Sequence, residues 1–274
     1  MTMSTLFPES ESGRFYDPAS CAEHRVSGVL IDLDDTIYPQ SAYLAGAWDA
    51  VAEAGERFGL DESRLRDALG DVSREGSDKG GIVDRALLAI GVPIAVLPRY
   101  VPLLVAAFRG YAPAVLVPYP GVLEALFAVR ARVPVAIVTD GDPRVQRTKI
   151  ATLGLAARVD AIVISDELGG RSARKPSPVA LEHALSLIGV DVAEAVMIGD
   201  RPGKDVLASA RLGMRSIRVR TGEYATLPDA VAAPDLVPPG GLASGGLTSG
   251  GLACPWRTAP DATTALQDLA PLLP

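Results

Sequence analysis

Aspartates dominate the residues of this chain that can do chemistry, and they fall in an ordered set. Asp32-Leu33-Asp34-Asp35-Thr36 comes first, then Thr139-Asp140-Gly141, then Lys175 inside Arg174-Lys175-Pro176, then Gly199-Asp200 with Asp205 five residues on. Any one of these short strings is uninformative alone. Their strength is that each stands at the end of a predicted strand or in a neighbouring loop, where ligands of open parallel sheets bind. Carboxylates gathered within a few ångströms repel and raise one another's pKa, so such a cluster calls for a cation. Oxygen ligands, an incomplete protein shell and phosphate company point to Mg²⁺ rather than Ca²⁺ or Zn²⁺. Asp32 and Asp34 lie two apart, which in extended chain puts both side chains on one side. One can then attack a reacting centre while the other manages protons.

These residues need a scaffold, and short β-branched runs supply it. Val29 to Leu33, Val135 to Val138, Ala161 to Ile164, Ala195 to Ile198 and Ser216 to Val219 are each about strand length. Between them the apolar residues take helical spacing, as at Leu123, Leu126 and Phe127 or Ala180, Ala184, Leu187 and Ile188. Asp142-Pro143 and Ser177-Pro178 read as helix starts, and Gly154, Gly189 and Gly213 as helix stops. Alternating strand and helix predict an α/β fold, a Rossmann-like parallel sheet with helices on both faces. The expected core spans residues 26–39 and 118–238, interrupted by a strand-free, helical second domain over residues 40–117. Residues 239–258 form a glycine-rich insertion, read as a flexible loop, in which GGLAS, GGLTS and GGLAC repeat from Gly240 to Cys254. Residues 259–274 then predict a C-terminal helix behind Asp261, docking on the core.

Composition narrows the partners. With 26 basic against 33 acidic residues and a net charge of −7, the surface repels phosphate backbones, and no Lys/Arg cluster marks a nucleic-acid site. Cys21 and Cys254 are far apart, so a disulfide framework or thiolate zinc site is not expected and a reducing cytoplasm is the simplest setting. His24 and His183 are too few for a multi-histidine metal centre. The first 25 residues lack a signal-peptide pattern. The most apolar window, Ala86 to Phe108, carries Pro93, Pro98, Arg99 and Pro102, which favours a buried helical hairpin over a membrane span.

The ordered set of Asp32-Leu33-Asp34-Asp35-Thr36, Thr139-Asp140-Gly141, Lys175-Pro176 and Gly199-Asp200-Arg201-Pro202-Gly203-Lys204-Asp205 resembles the four motifs of the haloacid dehalogenase superfamily. The likeness runs from about Val29 to Val219, and the helical insertion resembles that family's first-type cap. The resemblance implies a phosphatase in which Asp32 is the nucleophile that becomes a transient aspartyl-phosphate and Asp34 is the general acid and base. It implies Mg²⁺ held by Asp32, the backbone carbonyl of Asp34, and Asp200, with Asp205 binding through water or orienting its neighbours. Thr139, the amides of Asp140 and Gly141, and Lys175 would gather the phosphoryl oxygens.

Asp34 also sorts reactions, because members that attack carbon typically lack this second aspartate. A small phosphorylated metabolite is the expected partner, since a helical lid hinders polymers. A sugar-phosphate mutase or a silent binding protein are the alternatives, and monomer and homodimer both stay open. Arg57, Arg64, Arg74, Arg85 and Arg99 are read mostly as solvated, Trp48 and Phe58 as cap packing, and His183 as structural.

Overall fold

A computed structural model describes residues 25–77, 79–234 and 251–274. Cys21, His24 and most of the glycine-rich repeat lie outside the described residues. The elements in chain order are β1 (Gly28–Ile31), α1 (Gln40–Glu56), α2 (Glu62–Arg74), α3 (Ile82–Ala89), α4 (Leu97–Gly110), α5 (Val122–Arg130), β2 (Val135–Thr139), α6 (Pro143–Thr152), β3 (Ala161–Ile164) and α7 (Ser165–Gly169). They continue with α8 (Val179–Ile188), β4 (Ala195–Gly199), α9 (Leu207–Leu212), β5 (Arg215–Val219), β6 (Val231–Ala233), β7 (Gly251–Ala253), β8 (Arg257–Ala259) and α10 (Ala262–Leu269).

Among the described residues the main sheet has six strands in the order β3-β2-β1-β4-β5-β8, all parallel. Alternation along β1 feeds two apolar layers. Val29 and Ile31 pack with Leu126, Ile150 and Leu266 on one face, while Leu30 packs with Leu181 and Leu185 on the other. With both faces covered, the strands read as continuous apolar runs. The chain order reverses between β1 and β4, which makes their carboxyl ends the crevice where a doubly wound sheet binds ligands.

Helices α1 to α4 enclose a cluster of their own, built on Trp48, Val51, Leu65, Leu69, Leu87 and Leu104. Asp61 caps α2 by accepting from the Arg64 amide at 2.9 Å. Among the described residues no helix is long and apolar enough to cross a membrane.

Three local expectations change. Helix α8 starts at Val179 with Pro178 at its N-cap, because Ser177 belongs to a turn in which its amide donates to Arg174 O at 2.9 Å. The end of the glycine-rich stretch is not loop: Gly251–Ala253 pairs antiparallel with Val231–Ala233, and Ala253 and Ala233 are buried against Val206 and Leu207. Small side chains on a two-strand ribbon can pack closely, which composition alone does not reveal. Phe58 stands 40% exposed rather than packed, whereas Trp48 is buried.

Candidate active site

Every aspartate of the sequence motifs sits where a strand of the main sheet ends. Asp32 follows β1 and its amide donates to Ile198 O on β4 at 2.9 Å, so the two central strands are still paired where their acids begin. Beyond Asp34 the chain turns through Asp35, the one described non-glycine residue with positive φ, at 55°. That turn is held from the segment that follows β5. The Thr221 hydroxyl donates to Asp35 O, and the Glu223 amide to Asp35 Oδ2 at 3.3 Å. Gly222 is required between them, since a Cβ there would lie 2.0 Å from Asp35 Cγ and φ is +68°. Gly199 ends β4 for a similar reason: a Cβ would fall 2.3 Å from Asp205 Cγ, so only glycine lets Asp205 fold back over the strand end.

Asp32, Asp200 and Asp205 converge, with one carboxylate oxygen from each within 4.8 Å of the others, and all three are buried. Lys175 enters this group from its loop. Its Nζ lies 2.7 Å from Asp32 Oδ1, 2.6 Å from Asp205 Oδ1 and 3.1 Å from Val138 O. Three carboxylates against one ammonium leave negative charge in excess. Burial, then Asp205 and Asp34, push the Asp32 carboxyl up to about 7 against the pull of Lys175. Burial and Asp205 likewise raise Asp200 well above the usual carboxylate range.

Both oxygens of Asp200 are buried without a hydrogen-bond partner among the described residues, and the nearest cation, Arg201 Nε, is 3.8 Å away. A buried carboxylate in that condition is expensive unless something hard and positive meets it. The donor set is all oxygen, anionic and compact, and it fits Mg²⁺.

The Asp34 carboxylate lies outside that group. Tyr38 donates to its Oδ1 at 2.5 Å, Gln146 Nε2 to Oδ2 at 3.0 Å, and Lys149 Nζ stands 2.7 and 3.0 Å from the two oxygens. Burial works to raise its pKa, but Lys149 and these hydrogen bonds outweigh it and hold the group below the ordinary carboxylate range. Thr139, at the end of β2, is buried and accepts from Gln146 Nε2 at 2.5 Å. Asp140 accepts from the Lys175 amide at 3.1 Å and from Lys204 Nζ at 3.2 Å. Helix α6 opens beside them on Asp142, whose side chain accepts from the Arg144 and Val145 amides, so a positive helix end faces the same space.

A cavity of about 290 Å³ joins these groups. Asp32, Asp34, Thr139, Asp140, Gly141 and Lys175 form its floor, and Leu44, Trp48, Ile82, Val105 and Phe108 from the helical layer form an apolar wall. Trp48 and Phe108 stack at 4.8 Å between centroids. Arg109 bridges the mouth from α4 to Asp142 at 2.9 Å.

Sequence reasoning did not single out Tyr38, Gln146 or Lys149 for the site, nor Arg109, Arg171, Arg174 and Arg201, which line the cavity in place of the arginines considered. The signal for Gln146 and Lys149 was present: counted from Asp142 they fall at helical spacing on one face of α6, aimed back at β1.

Fold and site together define a doubly wound α/β protein with a buried acidic edge at its switch point. A family model described as haloacid dehalogenase-like hydrolase matches residues 26–213. The chain belongs to that hydrolase family. It is 35% identical over 205 residues to a glyceraldehyde 3-phosphate phosphatase from Methanopyrus kandleri, covering 73% of this chain and 86% of that protein. Against a phosphoglycolate phosphatase from Neisseria meningitidis the identity is 27% over 213 residues, covering 74% and 84%. Among solved structures, the magnesium-bound HAD hydrolase YfnB from Bacillus subtilis superimposes with a TM-score of 0.58 at 16% identity, covering 90% of this chain and 99% of that one.

Proposed function

We propose that this hydrolase, a phosphatase of its family, cleaves small phosphate monoesters with the help of Mg²⁺ and through a phosphoryl group carried on Asp32. The observation that carries the reading is the convergence of Asp32, Asp200 and Asp205 on one point, with neither Asp200 oxygen hydrogen-bonded among the described residues. These three residues and the backbone carbonyl of Asp34 would hold the ion. When bound, Mg²⁺ offsets the carboxylates and draws charge from the phosphoryl oxygens.

The chain's own groups do the rest. An Asp32 oxygen attacks phosphorus and the bond to the leaving oxygen breaks, giving an acyl phosphate. Asp34, ionised at rest, takes the proton carried by the bound phosphate monoanion and passes it to that leaving oxygen, then takes one from the water that attacks phosphorus. The Asp32–phosphorus link breaks, and inorganic phosphate leaves. Lys175, the Thr139 hydroxyl and the backbone amides at Asp140 and Gly141 gather the remaining oxygens, where charge spreads in the transition state.

The cavity lies at the small end of ligand pockets, and its apolar helical wall favours a short carbon skeleton over a polymer. Relatives that act on glyceraldehyde 3-phosphate and phosphoglycolate support the same class. The exposed free thiol of Cys254 suits work in a reducing cytoplasm. Phosphate release from p-nitrophenyl phosphate, measured with Mg²⁺ and with EDTA, tests the chemistry, and a panel of short phosphorylated acids, sugars and aldehydes then tests the class. Turnover that ignores EDTA would overturn the metal's role.

A further inference from the structure

Lys149 has no part in the steps above, yet its placement is costly. The side chain is 3% exposed, and its ammonium sits over the Tyr43 ring at 4.6 Å as well as on Asp34. An ammonium taken out of water is tolerated only when well paired, and replacing a buried ion pair by apolar groups of similar volume is often neutral or stabilising. Packing alone therefore gives no reason for a lysine here. What the lysine meets is the carboxylate assigned to move protons.

Three donors converge on the two oxygens of Asp34, from Tyr38, Gln146 and Lys149. Only Lys149 reaches both oxygens, so it fixes the plane of the carboxylate and not merely one end of it. Its own position is set by α6, the helix whose Asp142 cap adjoins the phosphoryl-gathering loop at Thr139 to Gly141. One rigid helix thus spaces the proton-transferring group from the place where phosphorus must sit. Preorganisation of that kind governs how well a proton reaches a leaving oxygen.

We propose that Lys149 is a positioning residue for proton transfer, holding the Asp34 carboxylate against the leaving-group oxygen of a bound phosphate ester. The proposal rests on the reading of Asp34 as the group that protonates that oxygen. Its consequence is selective. An alkyl leaving group needs a proton badly, whereas a nitrophenyl leaving group departs well without one.

The test compares kcat/KM for glycerol phosphate and for 2,4-dinitrophenyl phosphate, because kcat/KM reports the first phosphoryl transfer and not the later hydrolysis. Lys149→Met is expected to lower the alkyl value on the order of 10²-fold and the aryl value by less than about 5-fold. In an Asp34→Asn background the same substitution is expected to change the alkyl value by no more than about 2-fold, since residues acting through one group are not additive. Should Lys149→Met fail to fold by circular dichroism, Tyr38→Phe makes the same comparison with a smaller shift in the same direction.

Equal losses on both esters, or a full extra loss in the Asp34→Asn background, overturn the proposal. An alkyl-to-aryl ratio shifted in Asp34→Asn but unshifted in Lys149→Met and in Tyr38→Phe overturns it alone. An unshifted ratio in Asp34→Asn overturns the role given to Asp34 and the proposal with it.

Discussion

Asp32 and Asp34 are two residues apart and both buried, yet they live in opposite electrostatic surroundings. Asp34 has a lysine to itself, with Tyr38 and Gln146 filling its remaining acceptor sites. Asp32 shares its lysine with Asp205 and has Asp200 for a neighbour. Burial therefore lifts Asp32 to about 7, while the donors around Asp34 overcome the same burial and hold it low. The fold has built one polar cluster that satisfies itself and one left with negative charge in excess. A ligand site can be recognised by that incompleteness, since a scaffold has no use for unsatisfied buried charge.

The widest separation should come from substitutions on the incomplete side. Asp32→Asn keeps the shape and removes the attacking oxygen, so phosphate release is expected to drop on the order of 10³-fold or more. Stability should divide the two clusters more sharply than activity does. In EDTA, Asp200→Asn removes an uncompensated charge and is expected to raise the unfolding free energy by about 1 kcal/mol or more. Asp34→Asn strands the Lys149 ammonium and is expected to lower it by about 3 kcal/mol. Urea unfolding of both variants checks the opposite signs, and a shared sign would dissolve the distinction.

A pH series sharpens the same contrast with a smaller effect. Asp32 and Asp200 have folded-state pKa values raised above the unfolded value of about 4. A raised acid favours the folded state when protonated, so its contribution is fully present below about 4 and is lost as pH climbs through the folded value, about 7 for Asp32. Without metal, the melting temperature should fall between pH 5 and 8. Asp34 is lowered, so it is already ionised across that window and adds no slope. Saturating Mg²⁺ should flatten the curve, because the ion replaces the protons. A metal-free curve that is flat from pH 5 to 8 would mean the two clusters are balanced alike.

Much of this was legible in the chain, and for identifiable reasons. The strand runs could be read because a doubly wound sheet buries both faces, which writes uninterrupted β-branched segments into the sequence. The aspartates could be read because they fall at the ends of those runs. What escaped was whatever depends on which face of a helix looks inward. Gln146 and Lys149 sit in the polar-looking stretch Pro143 to Thr152; their spacing from Asp142 puts them on one helix face, but nothing local says that this face turns toward Asp34 while Arg144 and Arg147 turn to solvent. Tyr38 reaches Asp34 only because the chain doubles back at Asp35, a turn secured by Gly222, nearly two hundred residues away. The pairing of Gly251–Ala253 with Val231–Ala233 is equally non-local, and low complexity hid it.

The smallest expected effect lies at the cavity rim and bounds the comparison from outside. Lys204 pairs with Asp140 at 3.2 Å, but its side chain keeps 22% of its exposure, unlike Lys149 and Lys175 at 3% and 2%. Water can replace a partner there, and exposed ion pairs contribute about 0–1 kcal/mol. Asp140 also keeps its hydrogen bond from the Lys175 amide, so it is not left bare. Lys204→Met should therefore shift the unfolding free energy by less than about 1 kcal/mol, and it should raise KM a few-fold through the lost positive charge beside the phosphate site. The difference between Lys204 and Lys149 is one of burial and of what the ammonium holds in place, not of charge. A loss of unfolding free energy at Lys204 as large as the one expected for Asp34→Asn would show that charge near the phosphate matters more than the completeness of each cluster.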